Sequence, residues 1–201
     1  MQSDSNQIIK TPINNSDTPS ETNDPIYELL NPLKNIIQKT YFDLNPLNPN
    51  NNEHHFQELL RENLIINFNV RVHREMVQQK KSIDFNGNEI YLDNKSEIFD
   101  LAIDKYNIIL ELKACAELDE SHHNQLLSYL NQSNFNYGLL IHFTKPAKKI
   151  KKCVVTLKCF KKREKVTNVD KYGNEYKTWK FDLISEFKTE NYLDVVGGYF
   201  D

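Results

Sequence analysis

The stretch DLAIDKYNIILELKA, residues 100–114, carries three charged residues within its apolar runs: Asp100, Glu111 and Lys113. The stretch is typical of two buried strands joined by a short polar turn, and side chains alternate between the two faces of a strand. Glu111 and Lys113 therefore share one face. If residues 105 and 106 form the tip of the turn, Asp100 lies directly across from Glu111 on the neighbouring strand.

Two carboxylates opposed in this way lie about 4.5–5.5 Å apart at Cβ, and a partly buried sheet screens their repulsion poorly. A shared proton or the nearby Lys113 would relieve the repulsion, but a divalent cation does so most effectively. Mg²⁺ prefers carboxylate oxygens and keeps several of its waters. An acidic pair with an open side therefore predicts a magnesium site.

This prediction depends on the register of the two strands. The same register places Ile103 opposite Ile108. A shift by one residue would instead put Asp100 and Glu111 on opposite faces of the sheet. In the alternative interpretation the acids lie on a solvated face, where Lys113 pairs with them as in many half-exposed sheets.

The elements that position these residues follow from apolar periodicity and turn residues. Helices are predicted over 26–42, where Pro32 introduces a break or kink, over 52–68 and over 119–132. Strands are predicted over 69–77, 82–85, 89–92, 97–103, 107–114, 137–143, 153–160 and 175–187, with a hairpin turn at NGN, residues 86–88. This order predicts an α/β fold with a mixed central sheet flanked by helices and a C-terminal β extension, and excludes a repeated βα array.

A line of polar residues runs along the third predicted helix, which Asp119 or Ser121 caps at its N-terminus. His122, Gln125 and Tyr129 recur three and four residues apart and so lie on one face. Such a line beside a carboxylate pair suits the binding of a phosphate, a base edge or a ligand carboxylate. The alternative is an ordinary exposed helix face.

The central run resembles the PD-(D/E)XK nuclease superfamily and, within it, the subgroup of GxxExxY proteins. Asp100 followed by Glu-Leu-Lys at 111–113 is similar to the superfamily signature, and HHNQLLSYL and YGLLIHF follow in the order usual for the subgroup. The resemblance covers residues 26–145. It places the Gln-x-x-x-Tyr of the third helix, Gln125 and Tyr129, beside the site.

The chain departs from the subgroup pattern at several positions. In the motif that names the subgroup, Glu53 keeps the Glu, whereas Asn50 and Phe56 stand where Gly and Tyr are usual. His142 replaces the Asn of the last strand motif. The departures in the naming motif affect the expected role of the helix that carries it, and not the expected metal ligands.

The resemblance implies a restriction-endonuclease-like core and a metal-dependent nuclease that hydrolyses phosphodiester bonds of DNA, with RNA as a further substrate. Asp100 and Glu111 would hold one or two Mg²⁺ or Mn²⁺ ions, with the Leu112 carbonyl and Glu53 as additional ligands. Lys113 would position the attacking water or stabilise developing charge.

The distribution of charge adds a second candidate surface. The net charge of −3 does not indicate a nucleic-acid-binding protein, but Lys and Arg make up nearly half of residues 145–165, where Glu164 is the only acid. One interpretation is a phosphate-binding surface, to which His122 would also contribute; the other is a solvated strand whose lysines protect a sheet edge. The lysines proposed to contact nucleic acid are Lys148, Lys149, Lys151 and Lys152.

Composition limits the remaining possibilities. Three cysteines without CxxC spacing argue against a disulfide framework and favour a reducing compartment. No apolar run is long enough to span a membrane, and the N-terminus has no signal pattern. We therefore expect an intracellular protein, cytoplasmic, nuclear or encoded by a virus, with no membrane partner.

Composition along the chain predicts three segments: a disordered segment 1–24, a nuclease-like domain 25–145, and a Lys-rich β extension 146–201 packed on that core. Two alternative functions accompany the nuclease hypothesis. One is a catalytically inactive module of the same fold that binds nucleic acid or a protein. The other is an assembly protein that forms a homo-oligomer through its C-terminal strands.

Overall fold

The structure is a computed structural model that describes residues 24–44, 52–83, 89–144 and 152–192. These ranges contain three α-helices and six β-strands. In chain order they are α1 (Pro25–Asp43), α2 (Glu53–Phe68), β1 (His73–Ile83), β2 (Glu89–Ile103), β3 (Ile108–Cys115), α3 (Glu120–Gln132), β4 (Tyr137–Thr144), β5 (Lys152–Val169) and β6 (Glu175–Tyr192).

The six strands form one mixed sheet in the order β1-β2-β3-β4-β5-β6. Strands β3 and β4 are parallel, because α3 connects them, and the other neighbouring strands are antiparallel. The predicted α/β class and mixed central sheet are confirmed, and the architecture is consistent with a restriction-endonuclease-like fold.

Each face of the sheet is covered by helices. We call the face packed against α1 and α2 the first face and the face packed against α3 the second face. Apolar side chains on the first face include Leu101, Ile103, Ile108, Leu110, Leu112, Leu139 and Ile141. The smaller core on the second face contains Phe99, Ala102, Ile109, Leu126, Tyr129, Leu130 and Leu140. Strand β3, which carries Glu111 and Lys113, therefore lies between two apolar layers.

Helix α1 is not broken at Pro32, where the sequence predicts a break or kink. Asp24 caps the helix by accepting a hydrogen bond from the Ile26 backbone N–H. Pro32 lies on the exposed side, whereas Leu29 and Leu33 are buried against the sheet. Burial of the apolar face outweighs the cost of an interior proline, which is about 3 kcal/mol.

Strand β2 also differs from the prediction. The ranges 89–92 and 97–103 belong to one strand, because the residues between them remain extended and Ser96 pairs with Gln79 of β1. The ladder absorbs an irregularity between Gln79 and Lys81. The predicted NGN turn lies outside the described residues.

The C-terminal strands are tied to the rest of the sheet and to α3. The buried Lys162 Nζ donates to the Ser133 carbonyl at the end of α3, at 2.6 Å, where a positive charge complements the helix dipole. The Trp179 backbone N–H donates to Asn131 Oδ1. The division of the chain into three segments stays a prediction, and the proposed disordered segment 1–24 falls almost entirely outside the described residues.

Gly138 of β4 allows α3 to lie close to the sheet. A Cβ at this position would lie 2.7 Å from Leu130 Cδ1 and 3.0 Å from Leu126 Cδ1, and both leucines are fully buried. We expect Gly138→Ala to lower the free energy of unfolding by about 1–3 kcal/mol, as overpacked cores do. Urea denaturation would measure this. The double variant Gly138→Ala/Leu130→Val should recover part of the loss, and an unchanged single variant would contradict the close packing.

Candidate active site

The register of β2 and β3 agrees with the prediction. Ile103 pairs with Ile108, and Leu101 pairs with Leu110, the last regular pair before Asp100 and Glu111. The turn that sets this register is a short 3-10 turn, Asp104–Tyr106, followed by a left-handed residue with φ of 53°. The two acids therefore leave the paired part of the sheet at the same level.

Asp100 is held by a bond that replaces part of the sheet ladder. Its Oδ2 accepts the Leu112 backbone N–H at 2.7 Å. A regular continuation of the register would place Leu112 opposite Phe99, so the carboxylate takes the position of a backbone acceptor. Strand β2 is irregular here, since Phe99 and Ala102 pack on the same face although they are three residues apart.

The irregularity extends to the edge strand. Glu75 of β1 has φ of 49°, which non-glycine residues adopt uncommonly. It lies opposite Asp100, because the residues on either side of Glu75 pair regularly with Leu101 and Phe99. Its side chain forms an ion pair with the neighbouring Arg74. Three acids, Glu53, Glu75 and Glu111, are close enough to influence Asp100 or each other electrostatically.

Glu111 is an almost completely buried acid, with 2% of the residue exposed. Its Oε1 accepts a hydrogen bond from Lys113 Nζ at 2.6 Å. Its Oε2 is buried and has no hydrogen-bond partner among the described residues. Because a buried unpaired acceptor costs about 1–3 kcal/mol or more, a ligand that bonded this oxygen would stabilise the folded protein.

The environment of both acids disfavours their charged forms. Burial raises the pKa of Asp100 to about 6. Burial and the Asp100 charge raise the pKa of Glu111 to about 8. Burial alone would lower the pKa of Lys113, but the adjacent Glu111 carboxylate outweighs it, so that this pKa lies above its usual value. A cation would reverse the effect on both carboxylates.

Helix α2 contributes two side chains from the first face. Asn52 caps this helix in a capping box with His55, so that Glu53 occupies its first turn and its Oε2 accepts the Ala114 backbone N–H at 2.8 Å. Gln57 is buried and its Nε2 donates to the Asp100 carbonyl at 2.8 Å. No prediction from the sequence includes Gln57, although an amide on the apolar side of a helix, next to Phe56, is a signal for such a role.

We expect Gln57→Leu, which keeps the volume but removes the donor, to lower the free energy of unfolding by about 1–3 kcal/mol, because the Asp100 carbonyl loses its partner. Urea denaturation would measure the loss. The half-buried neighbour Glu58 lies in the same helix turn but forms an ion pair with Arg74. The exposed Glu62 is therefore the better control. If Gln57→Leu and Glu62→Gln were equally stable, Gln57 would not support the irregular strand.

The donor set fits a divalent cation. Within the described residues, no three His, Cys, Asp or Glu side chains form a ready metal-binding group. The Asp100 and Glu111 carboxylates nevertheless supply hard oxygen ligands, and the buried, unpartnered Glu111 Oε2 is an available acceptor. Glu53 lies close enough to both acids to affect them electrostatically.

The predicted polar line on α3 separates into two parts. Asp119 is the N-cap, and His122 Nδ1 accepts the Asp119 backbone N–H in a capping box, so this ring has a structural task. Gln125 Nε2 donates to the Tyr129 hydroxyl at 2.6 Å. The Tyr129 ring packs on Phe99, one residue from Asp100 in β2, with centroids 5.2 Å apart. Roles for all three α3 residues in binding or catalysis stay predictions.

His142 lies beside Lys113 on the paired strand β4. The histidine is buried, and its Nε2 lies 3.0 Å from the Cys115 carbonyl oxygen. Burial lowers its pKa, and because a carbonyl oxygen can only accept, Nε2 donates this hydrogen bond. His142 thereby connects the end of β3 to β4 next to the candidate site.

The four lysines predicted to contact nucleic acid stand near the start of β5 in the sequence. Lys148, Lys149 and Lys151 lie outside the described residues. Lys152 is the first residue of β5, but its side chain is not described. Contact of these lysines with nucleic acid stays a prediction.

Comparison with known families agrees with this geometry. The sequence profile of the PD-(D/E)XK nuclease superfamily matches residues 32–155, more than half of the chain. The chain belongs to the PD-(D/E)XK nuclease superfamily. No curated protein and no solved structure is significantly similar to it. In the helices that the structure describes, none is long and apolar enough to cross a membrane.

Proposed function

We propose that the protein is a metal-dependent nuclease that hydrolyses phosphodiester bonds, with DNA as the preferred substrate and RNA as the alternative. The observation that carries the proposal is the pair of the half-buried Asp100 and the buried Glu111 beside Lys113, with one Glu111 oxygen lacking a partner within the described structure. Membership of a nuclease superfamily supports it.

The residues divide the chemistry between them. Asp100 and Glu111 would hold Mg²⁺ or Mn²⁺, with the Leu112 carbonyl and Glu53 as further oxygen ligands. When bound, such a cation lowers the pKa of a water molecule and offsets charge on the phosphate. Lys113, held at 2.6 Å from Glu111, would orient the water and stabilise the negative charge that develops on the phosphate oxygens.

The test is incubation of the purified full chain with supercoiled DNA, linear DNA and single-stranded RNA, with Mg²⁺, with Mn²⁺ or with EDTA. We expect cleavage of DNA in both metals and none in EDTA. Cleavage that persists in EDTA, or no cleavage of any substrate in either metal, would contradict the proposal. Nicked circles would indicate internal cutting, whereas loss of linear DNA alone would indicate attack from ends.

A second candidate function is a module of this fold that binds nucleic acid or a protein without cutting. The bond between Lys113 and Glu111 favours it, because the lysine neutralises the acid that a cation would otherwise use. This function predicts salt-sensitive binding of DNA that EDTA does not change. Formation of a homo-oligomer and an intracellular location also stay predictions.

A further inference from the structure

A basic cleft of about 610 Å³ lies between α2 and the start of β1. The sequence contains four arginines, and three of them, Arg61, Arg71 and Arg74, line this cleft, which we call the arginine cleft. None of the described residues that line it is acidic. Because most of the arginines of a chain with net charge −3 gather in one place, the cleft is suited to an anion.

Two of the three arginines have donors available to a ligand. Arg71 is exposed, and no hydrogen bond or ion pair joins it to another described residue. Arg61 is half-buried, and its Nε donates to the Val72 carbonyl at 3.3 Å. Both Nη groups of Arg61 remain without a partner among the described residues.

Three acids reach the lining of the cleft, and each bonds a residue other than these two arginines. Glu58 and Glu75 form ion pairs with Arg74. Asp104 bonds His73, whose Nε2 lies 2.7 Å from the Asp104 Oδ2. Arg74 and His73 are therefore not counted as donors to a ligand, and the positive charge of the other two arginines is not compensated within the described residues.

The arginine cleft begins next to the candidate site. Arg74 pairs with Leu101, the residue after Asp100, and Glu75 lies opposite Asp100. Four residues of chain separate Glu75 from Arg71, and four residues span at most about 14 Å. At about 3.4 Å per nucleotide of a stacked strand, this distance corresponds to about four nucleotides.

The chemistry of the cleft suits a phosphate. A guanidinium group stays charged in proteins, and its planar fork of N–H donors can bond two oxygens of one phosphate at once. Carboxylates of an acidic peptide would meet the same donors. A nucleic-acid strand is favoured over such a peptide, because the same strand would also supply the phosphate for the neighbouring candidate site.

We propose that the arginine cleft binds a backbone phosphate of the nucleic-acid substrate through Arg61 and Arg71, about four nucleotides from the cleaved bond. The inference rests on the proposed function and adds to it a contact that holds the substrate on the side of the edge strand β1.

The test compares the same change at two exposed arginines, Arg71→Gln in the cleft and Arg163→Gln on β5, four strands away from β1. Binding of a fluorescein-labelled single strand of DNA of about 12 nucleotides, three times the expected distance, is measured by anisotropy in EDTA. We expect Arg71→Gln to weaken binding about tenfold, as the loss of a hydrogen bond to a charged group does. Arg163→Gln should change binding less than about twofold, because it removes only an exposed ion pair with Asp182.

The dependence of binding on salt gives an independent readout. Arg71→Gln should reduce the slope of log K against log salt by about 0.7, the contribution of one phosphate contact on a single strand. Arg71→Lys, which keeps the charge but not the fork, should retain the slope and recover part of the affinity. Because Arg71 bonds no described residue, both variants should unfold at the same urea concentration as the wild type.

Equal binding by wild type and Arg71→Gln, equal effects at positions 71 and 163, or no binding by the wild-type chain would each overturn the assignment. A labelled polyglutamate peptide that bound through Arg71, while DNA binding did not depend on this residue, would assign the cleft to a protein partner instead. DNA binding that depends on Arg71 without cleavage in Mg²⁺ or Mn²⁺ would retain the cleft and refute the nuclease. Cleavage with DNA binding indifferent to Arg71 would do the reverse.

Discussion

Glu111→Gln is expected to slow hydrolysis by at least about 10²–10³-fold, the effect of removing one group that stabilises a transition state electrostatically. The substitution keeps the size of a side chain that is 2% exposed and can still bond Lys113, so the sheet should be preserved. It removes the negative charge that would hold the cation. Initial rates of DNA cleavage at saturating Mg²⁺ measure the effect.

A matched control uses the same chemical change on the exposed face of α2. Glu62→Gln, purified in parallel, should cleave at the wild-type rate, because Glu62 is exposed on α2. Binding of a fluorescein-labelled single strand of DNA in EDTA, measured by anisotropy, should remain close to wild type in both variants. Equal cleavage by Glu111→Gln and wild type would show that the activity does not come from this site.

The metal-free protein is expected to lose stability as the pH rises from 5 to 8. An acid whose pKa is higher in the folded than in the unfolded state retains a proton that the unfolded chain has released, so folding becomes less favourable with increasing pH. For Asp100 the loss runs from its ordinary value of 3.8 to about 6. For Glu111 it runs from 4.5 to about 8. Each group contributes about 1 kcal/mol per pH unit within its window.

Urea denaturation in EDTA at pH 5, 6, 7 and 8 would measure this dependence. Above pH 6 the decline comes from Glu111, so Glu111→Gln should flatten the curve there, whereas Glu62→Gln should retain the wild-type slope. Added Mg²⁺ should stabilise the wild-type chain more at pH 8 than at pH 6, because it binds the deprotonated acids. Identical slopes of stability against pH in wild type and Glu111→Gln would show that burial does not raise the pKa of Glu111.

The part of the site that could be predicted depends on local rules. Strand alternation and a short turn place Asp100 and Glu111 at one level, and the observed pair Ile103 and Ile108 follows from the same turn. The prediction of two strands within β2 was wrong, since residues 93–96 remain extended and Ser96 pairs with Gln79 of the edge strand β1. Antiparallel strands at the edge of a sheet can have one face exposed to solvent, so they tolerate polar residues that a buried central strand would not.

The unpredicted part depends on contacts between residues far apart in the chain. Gln57 reaches Asp100 across 43 positions, and Glu53 reaches Ala114 across 61, and no periodicity encodes either bond. His122 combines a local and a predicted role. Its spacing with Gln125 and Tyr129 predicts a shared binding surface, which stays a prediction, and its Nδ1 also accepts the Asp119 backbone N–H three residues back in the chain, as capping residues commonly do at helix N-termini.

Asp100 and Glu111 serve the molecule in different ways, which affects how activity can be judged in related chains. Asp100 completes the sheet through the Leu112 N–H, so a chain that had lost catalysis would still benefit from an oxygen acceptor there, supplied by Asp or Asn. Glu111 leaves one oxygen unsatisfied and resists ionisation. An inactive descendant would gain stability by replacing it. The acid at position 111, rather than the one at position 100, is therefore the residue whose retention distinguishes a working enzyme from an inherited scaffold.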